Sequence, residues 1–334
     1  MGTGRRDLTD RSVDQNQTDE NAVTPEGHQT RANTEVPTRK TVRGQFKARD
    51  GQGWQVIGAS VPGLRHLREH RPCEDYCSFT VLADICGLMI VADGAGSALH
   101  ASVGSEIIAA DVIPSATREV IEATCRDAGC TASDLLQAIE ESQWRHVAAS
   151  ILARARERLR DHAAERNMVF ADLAATLVSC IILSNRLLVM HVGDGRGTYR
   201  DISGGWQPLF EPLLGRNAGE TVFLTAPLCD PQISSVFFGA YIHECATDFV
   251  AMMTDGCEKG SFELHRRIAQ SEADERYCRT NIPHPAFFDA LPQFTKAVLE
   301  QDEPEMHWVS FLRQGVDKFA EEYDDKTMLV ALRQ

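Results

Sequence analysis

Long apolar runs are missing from this sequence. No stretch of 18 or more apolar residues occurs among its 334, so no membrane-spanning helix is expected. The first residues lack the apolar core of an export signal, which makes a cytoplasmic protein the expectation. Basic residues are also in short supply: 34 Lys and Arg stand against 48 Asp and Glu, a formal charge of −14. That balance argues against nucleic acid or an anionic membrane as partner, since both need a basic footprint. Cysteine is not scarce, but none of the ten forms a C-x2-C pair, which disfavours a zinc ribbon or a thioredoxin-like site. Cys180 and Cys245 sit in apolar stretches and read as small buried hydrophobes, reduced by default in the cytoplasm. Internal repeats are absent too. What remains, 43% hydrophobic and 25% charged, is the composition of a soluble globular protein.

The feature present in excess is an aspartate–glycine pair at the end of an apolar run. Leu88-Met89-Ile90-Val91-Ala92 leads straight into Asp93-Gly94-Ala95-Gly96-Ser97. Phe249-Val250-Ala251-Met252-Met253-Thr254 leads into Asp255-Gly256, and Leu187 to Val192 leads into Gly193-Asp194-Gly195. An apolar run bounded by glycine reads as a strand buried on both faces. A carboxylate leaving such a strand must be paired, hydrogen-bonded or bound to a cation. Any one of these pairs is first of all a turn signal. Three of them, with Glu74/Asp75 and Asp324/Asp325 further out, point instead to carboxylates meeting at one metal site.

Taken in order, residues 1–48 are polar and aperiodic and are expected to be a disordered tail. Strands are expected at 54–61, 76–82 and 88–93, with a basic loop of Arg65, His66, Arg68, His70 and Arg71 between the first two. Helical periodicity follows at 98–112, from 131, and at 147–165. The pattern returns to strands at 174–183 and 186–192, joined at Ser184-Asn185, and again at 234–243 and 248–253. Residues 208–232 read as loop, 258–320 as a variable insertion, and 326–332 as a closing strand. Many strands with few helices between them fit an α+β fold, two packed antiparallel sheets flanked by helices, better than a βαβ alternation.

Carboxylate-only ligation points to hard cations, Mg²⁺ or Mn²⁺. Two such ions about 3.5–4 Å apart can lower the pKa of a water to the neutral range, and a phosphate ester is the matching substrate. A cationic side chain must hold the phosphate. Arg71 is the first choice, since its planar fork matches phosphate oxygens; the bland alternative for that loop is a solvated charge run.

Pro72-Cys73-Glu74-Asp75, Val91 to Ser97, Val192-Gly193-Asp194-Gly195-Arg196, Met253-Thr254-Asp255-Gly256 and Asp324-Asp325-Lys326-Thr327, in that order, resemble the protein phosphatase 2C family of metal-dependent Ser/Thr phosphatases in its bacterial branch. The stretch Ala218 to Thr225 is similar to that branch as well. The resemblance implies a catalytic domain over 49–334 with a four-layer αββα sandwich and two Mg²⁺ or Mn²⁺ ions. It implies that Asp93 bridges the ions, that Asp255 and Asp324 hold the first, and that Glu74 and the Gly94 carbonyl serve the second. Asp75 and Thr254 would support these ligands, and Asp194 would be structural or touch a third ion. It further implies a phosphorylated protein as substrate and a Ser/Thr kinase as a second candidate partner. Three positions depart from the pattern: Ala95 replaces a histidine general acid, His70 stands where the phosphate-binding arginine is usual, and Lys259 replaces a third-metal aspartate. These departures keep a second expectation open, a catalytically weak phosphatase-like module that binds a phosphoprotein or kinase. A carboxylate-metal nuclease is disfavoured by the negative charge.

Overall fold

The computed structural model describes residues 39–83, 85–213, 221–226, 237–267 and 277–334. The chain enters through β1 (Arg39–Lys47) and β2 (Gly53–Val61), a short helix α1 (Leu64–Glu69), and the hairpin β3 (Asp75–Leu82) and β4 (Cys86–Asp93). A helical stretch follows: α2 (Ala101–Ile107), one π turn, α3 (Ile113–Ala128), α4 (Ala132–Ala138) and α5 (Glu141–Glu165). Next come β5 (Leu177–Ile182), β6 (Arg186–Val192), β7 (Arg196–Arg200), β8 (Trp206–Pro208), β9 (Gly239–Glu244) and β10 (Phe249–Met253). After α6 (Glu258–Ser261) the hairpin β11 (Phe262–Arg267) and β12 (Tyr277–Pro283) precedes four helices. These are α7 (Pro285–Phe288), α8 (Leu291–Leu299), α9 (Pro304–Gln314) and α10 (Asp317–Ala320), and β13 (Lys326–Arg333) closes the chain.

Two antiparallel sheets result, in the orders β1-β2-β13-β10-β7-β8 and β3-β4-β5-β6-β9. The α+β expectation holds. Strict alternation along the central strands explains how the sheets stack. In β4, Met89 and Val91 join Val250, Met252, Leu329 and Ala331 in a core between the sheets. Leu88, Ile90 and Ala92 face the other way, into a core shared with Ile113, Ile151, Leu152 and Leu159 of α3 and α5. On the opposite side Phe249, Ala251, Met328 and Val330 pack on Leu291, Val298, Trp308 and Leu312 of α8 and α9. A charged side chain at the end of such a strand leaves a core in which each buried leucine or isoleucine contributes about 1.5–3 kcal/mol. The strand therefore cannot slide to bury or expose its aspartate.

Two expectations change. Residues 1–38 of the expected tail lie outside the described residues, but Arg39–Lys47 is a strand, paired with β2 from Arg39↔Ser60 to Lys47↔Gly53. Residues 258–320 do not stand apart as an insertion: α8 and α9 form the fourth layer, and the β11–β12 hairpin forms a separate two-stranded sheet. Part of the expected strand 234–243 and most of 208–232 after residue 213 fall outside the described residues, as do the first three residues of the Ala218–Thr225 stretch. Among the described residues no helix is long and apolar enough to cross a membrane.

Candidate active site

The register of the two sheets delivers the acidic residues to one end of the sandwich. Asp75 at the start of β3 is paired with Asp93 at the end of β4. In the other sheet Val61 faces Lys326 and Met253 faces Met328, so the exits of β2 and β10 and the entry of β13 share that end. Thr254 joins the sheets: its hydroxyl donates to Asp75 Oδ2 at 2.7 Å and accepts from the Thr327 N–H at 3.0 Å. Asp93 is held by Thr176, whose hydroxyl accepts from the Asp93 N–H at 3.1 Å. The Gly94 N–H donates to the Glu74 carbonyl at 3.1 Å, which ties the first motif to the second.

Close backbone approach fixes the last motif. A Cβ added at Gly63 would lie 2.1 Å from the Asp324 carbonyl oxygen, and one at Gly256 would lie 1.8 Å from that of Asp325. These glycines are required because the chain after β2 and the chain after β10 both press against residues 324–325. The first turn of α1 is docked there too, with the Leu64 and Arg65 N–H groups donating to the Glu322 and Tyr323 carbonyls at 3.0 and 3.1 Å.

The electrostatics are those of a crowded carboxylate set. Burial, then the charges of Asp75, Asp255, Asp324 and Asp194, holds Asp93 well above the usual carboxylate range. Burial and the charges of Asp194 and Asp324 push Asp255 up to about 7, and it lies within hydrogen-bonding reach of Asp93. Burial also raises Glu74, Asp75 and Asp194. Glu74 Oε2 and Asp255 Oδ1 are buried with no hydrogen-bond partner. Orphaned carboxylate oxygens beside mutually repelling carboxylates suit hard divalent cations, which would satisfy both. Among the described residues no group of three His, Cys, Asp or Glu side chains stands ready at ligand spacing.

The basic loop resolves differently from its sequence reading. The Arg71 guanidinium is engaged by Glu74 Oε1 and lies 3.6 Å from Glu69, so it neutralises a carboxylate before it can meet a phosphate. His70 is exposed and closes α1 in a left-handed conformation, φ 52°. Arg65 is the residue the sequence did not single out. Its Nη2 lies 3.6 Å from Asp324 Oδ1, its side chain is 43% exposed, and its fork stands over Gly96. The docking of α1 buries His66 and sets Arg65 beside Asp324; five basic or histidine residues in seven positions carried no signal to choose among them.

A protein-family model described as Protein phosphatase 2C matches residues 62–300. The chain belongs to that family. It is similar to Serine/threonine-protein phosphatase 3 of Escherichia coli K12, 26% identical over 286 residues that cover 84% of this chain and 98% of the relative. It also resembles PppA, a key regulatory component of the type VI secretion system (T6SS) in Pseudomonas aeruginosa, at 16% identity, 87% and 100% coverage and a TM-score of 0.49. A third likeness is the catalytic domain of the phosphatase PstP, solved with two manganese ions, at 16% identity, 84% and 98% coverage and a TM-score of 0.43. As a protein phosphatase 2C the chain is a protein Ser/Thr phosphatase. Its last motif, Asp324 to Thr327, lies beyond the matched residues, and the pairing of β13 with β2 and β10 brings it to the same end. The Lys259 ammonium pairs with Glu322 at 2.9 and 3.1 Å. Ala95 is buried, its N–H donating to the Ala174 carbonyl at 2.9 Å.

Proposed function

We propose that this phosphatase removes phosphate from phosphoserine and phosphothreonine in proteins, with Asp93, Asp255, Asp324, Glu74 and the Gly94 carbonyl holding two Mg²⁺ or Mn²⁺ ions. The observation that carries the proposal is the pair of orphaned oxygens, Glu74 Oε2 and Asp255 Oδ1, among carboxylates that repel one another. Clustered buried charge is costly, and a fold freed from catalysis has no reason to keep it. Bound there, the ions would supply a water acidic enough to attack at neutral pH and positive charge to balance the phosphoryl group.

The protein's own contributions are positional. Thr254 and Asp75 hold the two sheets in register beneath the carboxylates. Arg65, whose Nη2 lies 3.6 Å from Asp324 Oδ1 and whose side chain is partly exposed beside the carboxylates, binds the phosphate oxygens of the substrate. Ala95 offers no side-chain acid, so the departing serine or threonine oxygen takes its proton from solvent-derived donors, at the cost of part of the 10²–10⁴-fold that general acid catalysis typically contributes. Asp194, in the turn after β6, adds its charge to the carboxylate set, and a third strong cation site is not proposed, because Lys259 occupies that position. A phosphorylated protein is the proposed substrate and a Ser/Thr kinase a proposed second partner.

Hydrolysis of p-nitrophenyl phosphate with Mn²⁺ tests the proposal. Asp93→Asn and Asp255→Asn should each lower kcat by about 100-fold or more, several kcal/mol of lost charge stabilisation. Activity that survives both substitutions and excess chelator contradicts it. Buried Ala95 is the one observation favouring the second expectation, a binding module; such a module would bind phosphoprotein without turnover.

A further inference from the structure

Asp325 stands beside the proposed ligand Asp324 but has no oxygen to spare for a cation. It is 3% exposed. Its Oδ1 accepts from the Gly63 N–H at 2.8 Å and its Oδ2 from the Glu74 N–H at 2.5 Å. His66 Nδ1 completes the set, 2.8 Å from Oδ1 and 2.9 Å from Oδ2. A carboxylate only accepts, so His66 must carry its proton on Nδ1. The ring is 1% exposed, and its other nitrogen, Nε2, lies 3.6 Å from the orphaned Glu74 Oε2 and 3.5 Å from Arg65 Nη2.

One carboxylate thus gathers the start of α1, the segment ahead of β3 and the start of β13, and passes that constraint through one imidazole to Glu74 and Arg65. We infer that His66 and Asp325 form a positioning pair that sets the Glu74 carboxylate and the Arg65 fork relative to the cation site. The inference rests on the proposed cation site. A buried ionic pair kept for stability alone is replaceable by apolar residues at little cost, whereas partners that orient ligands typically govern metal affinity by 10–100-fold. His66 belongs to this class: its Nε2 lies 3.6 Å from the free oxygen of the proposed ligand Glu74, and its Nδ1 is locked by a saturated acceptor. Neither residue is a ligand or a catalytic residue.

The test uses the full chain. Calorimetric titration with Mn²⁺ compares wild type with His66→Gln and Asp325→Asn, each first shown to be folded by circular dichroism. One of the two ions should bind about 10–100-fold more weakly in both variants, with the other little changed. A second measurement needs no variant to fold. In histidine-labelled wild type, the His66 Nδ1 proton, shielded by burial, should give a downfield resonance that moves as Mg²⁺ is added. Wild-type binding with variants that bind Mn²⁺ equally well, or a resonance indifferent to Mg²⁺, overturns the pair alone. A wild type that takes up no cation overturns the site and the pair together.

Discussion

At the scale of single residues, Arg65 of α1 and Arg71 just after it divide the work by where their guanidinium groups are anchored. Arg65→Ala should lower kcat/KM for a phosphopeptide about 10–100-fold, chiefly through KM, since a charge-assisted hydrogen bond contributes roughly 1.5–3 kcal/mol. Arg71→Ala should leave KM within about threefold and instead weaken cation binding, because its partner is Glu74. Steady-state kinetics on both variants check this, and the reverse pattern would restore Arg71 as the phosphate ligand. His191 offers a separate measurement. It lies between Phe210 and Tyr241, ring centroids 4.0 and 5.9 Å away, and burial lowers its pKa to about 3. The unfolded chain then binds the extra proton more readily than the folded one. The contribution of a neutral His191 is fully present above pH 6.5 and is lost as pH falls toward 3, on the order of 5 kcal/mol at the extreme. Urea unfolding between pH 7 and 4 should show that loss, and His191→Phe should flatten it. The aspartates were legible in the sequence because a charge ending an apolar strand has few structural uses. Arg65 and His66 were not, because only the seating of α1 against residues 322–325 tells them from Arg68, His70 and Arg71.

At the scale of elements, β1 and α8–α9 show how a pattern can be present and still be missed. β1 alternates Val42, Gly44 and Phe46 toward the core, with Arg43, Gln45 and Lys47 exposed, and Ala48 just after it is buried too. Glycine at one inward position hid the two-residue period among basic residues, yet the Phe79 ring fills the space where its Cβ would be. Phe46 stacks on Trp54 with centroids 6.0 Å apart and meets Phe79 at 5.9 Å. Phe46→Ala should therefore cost about 3–5 kcal/mol, read by denaturant unfolding; a loss under 1 kcal/mol would return the segment to a tail. In α8 and α9, Leu291, Val298, Trp308 and Leu312 had a helical period, but the break in strand pattern after Asp255 made it look like an insertion. The outer face of the six-stranded sheet needs a cover, and those helices supply it.

At the scale of the whole molecule, the fold brings five segments separated by up to 250 residues of chain to one end of a sandwich whose three cores leave them no other place. Two packed antiparallel sheets flanked by helices were legible from the order of strands and helices, whereas the four-layer count came from the family resemblance and the helices of the fourth layer were not recognised as such. Location of the cations in crystals soaked in Mn²⁺, by anomalous scattering, tests the site most directly. Two peaks about 3.5–4 Å apart, bounded by Glu74, Asp93, Asp255 and Asp324, are the expected result. Peaks elsewhere, or none in crystals of protein that hydrolyses phosphopeptides, would contradict it.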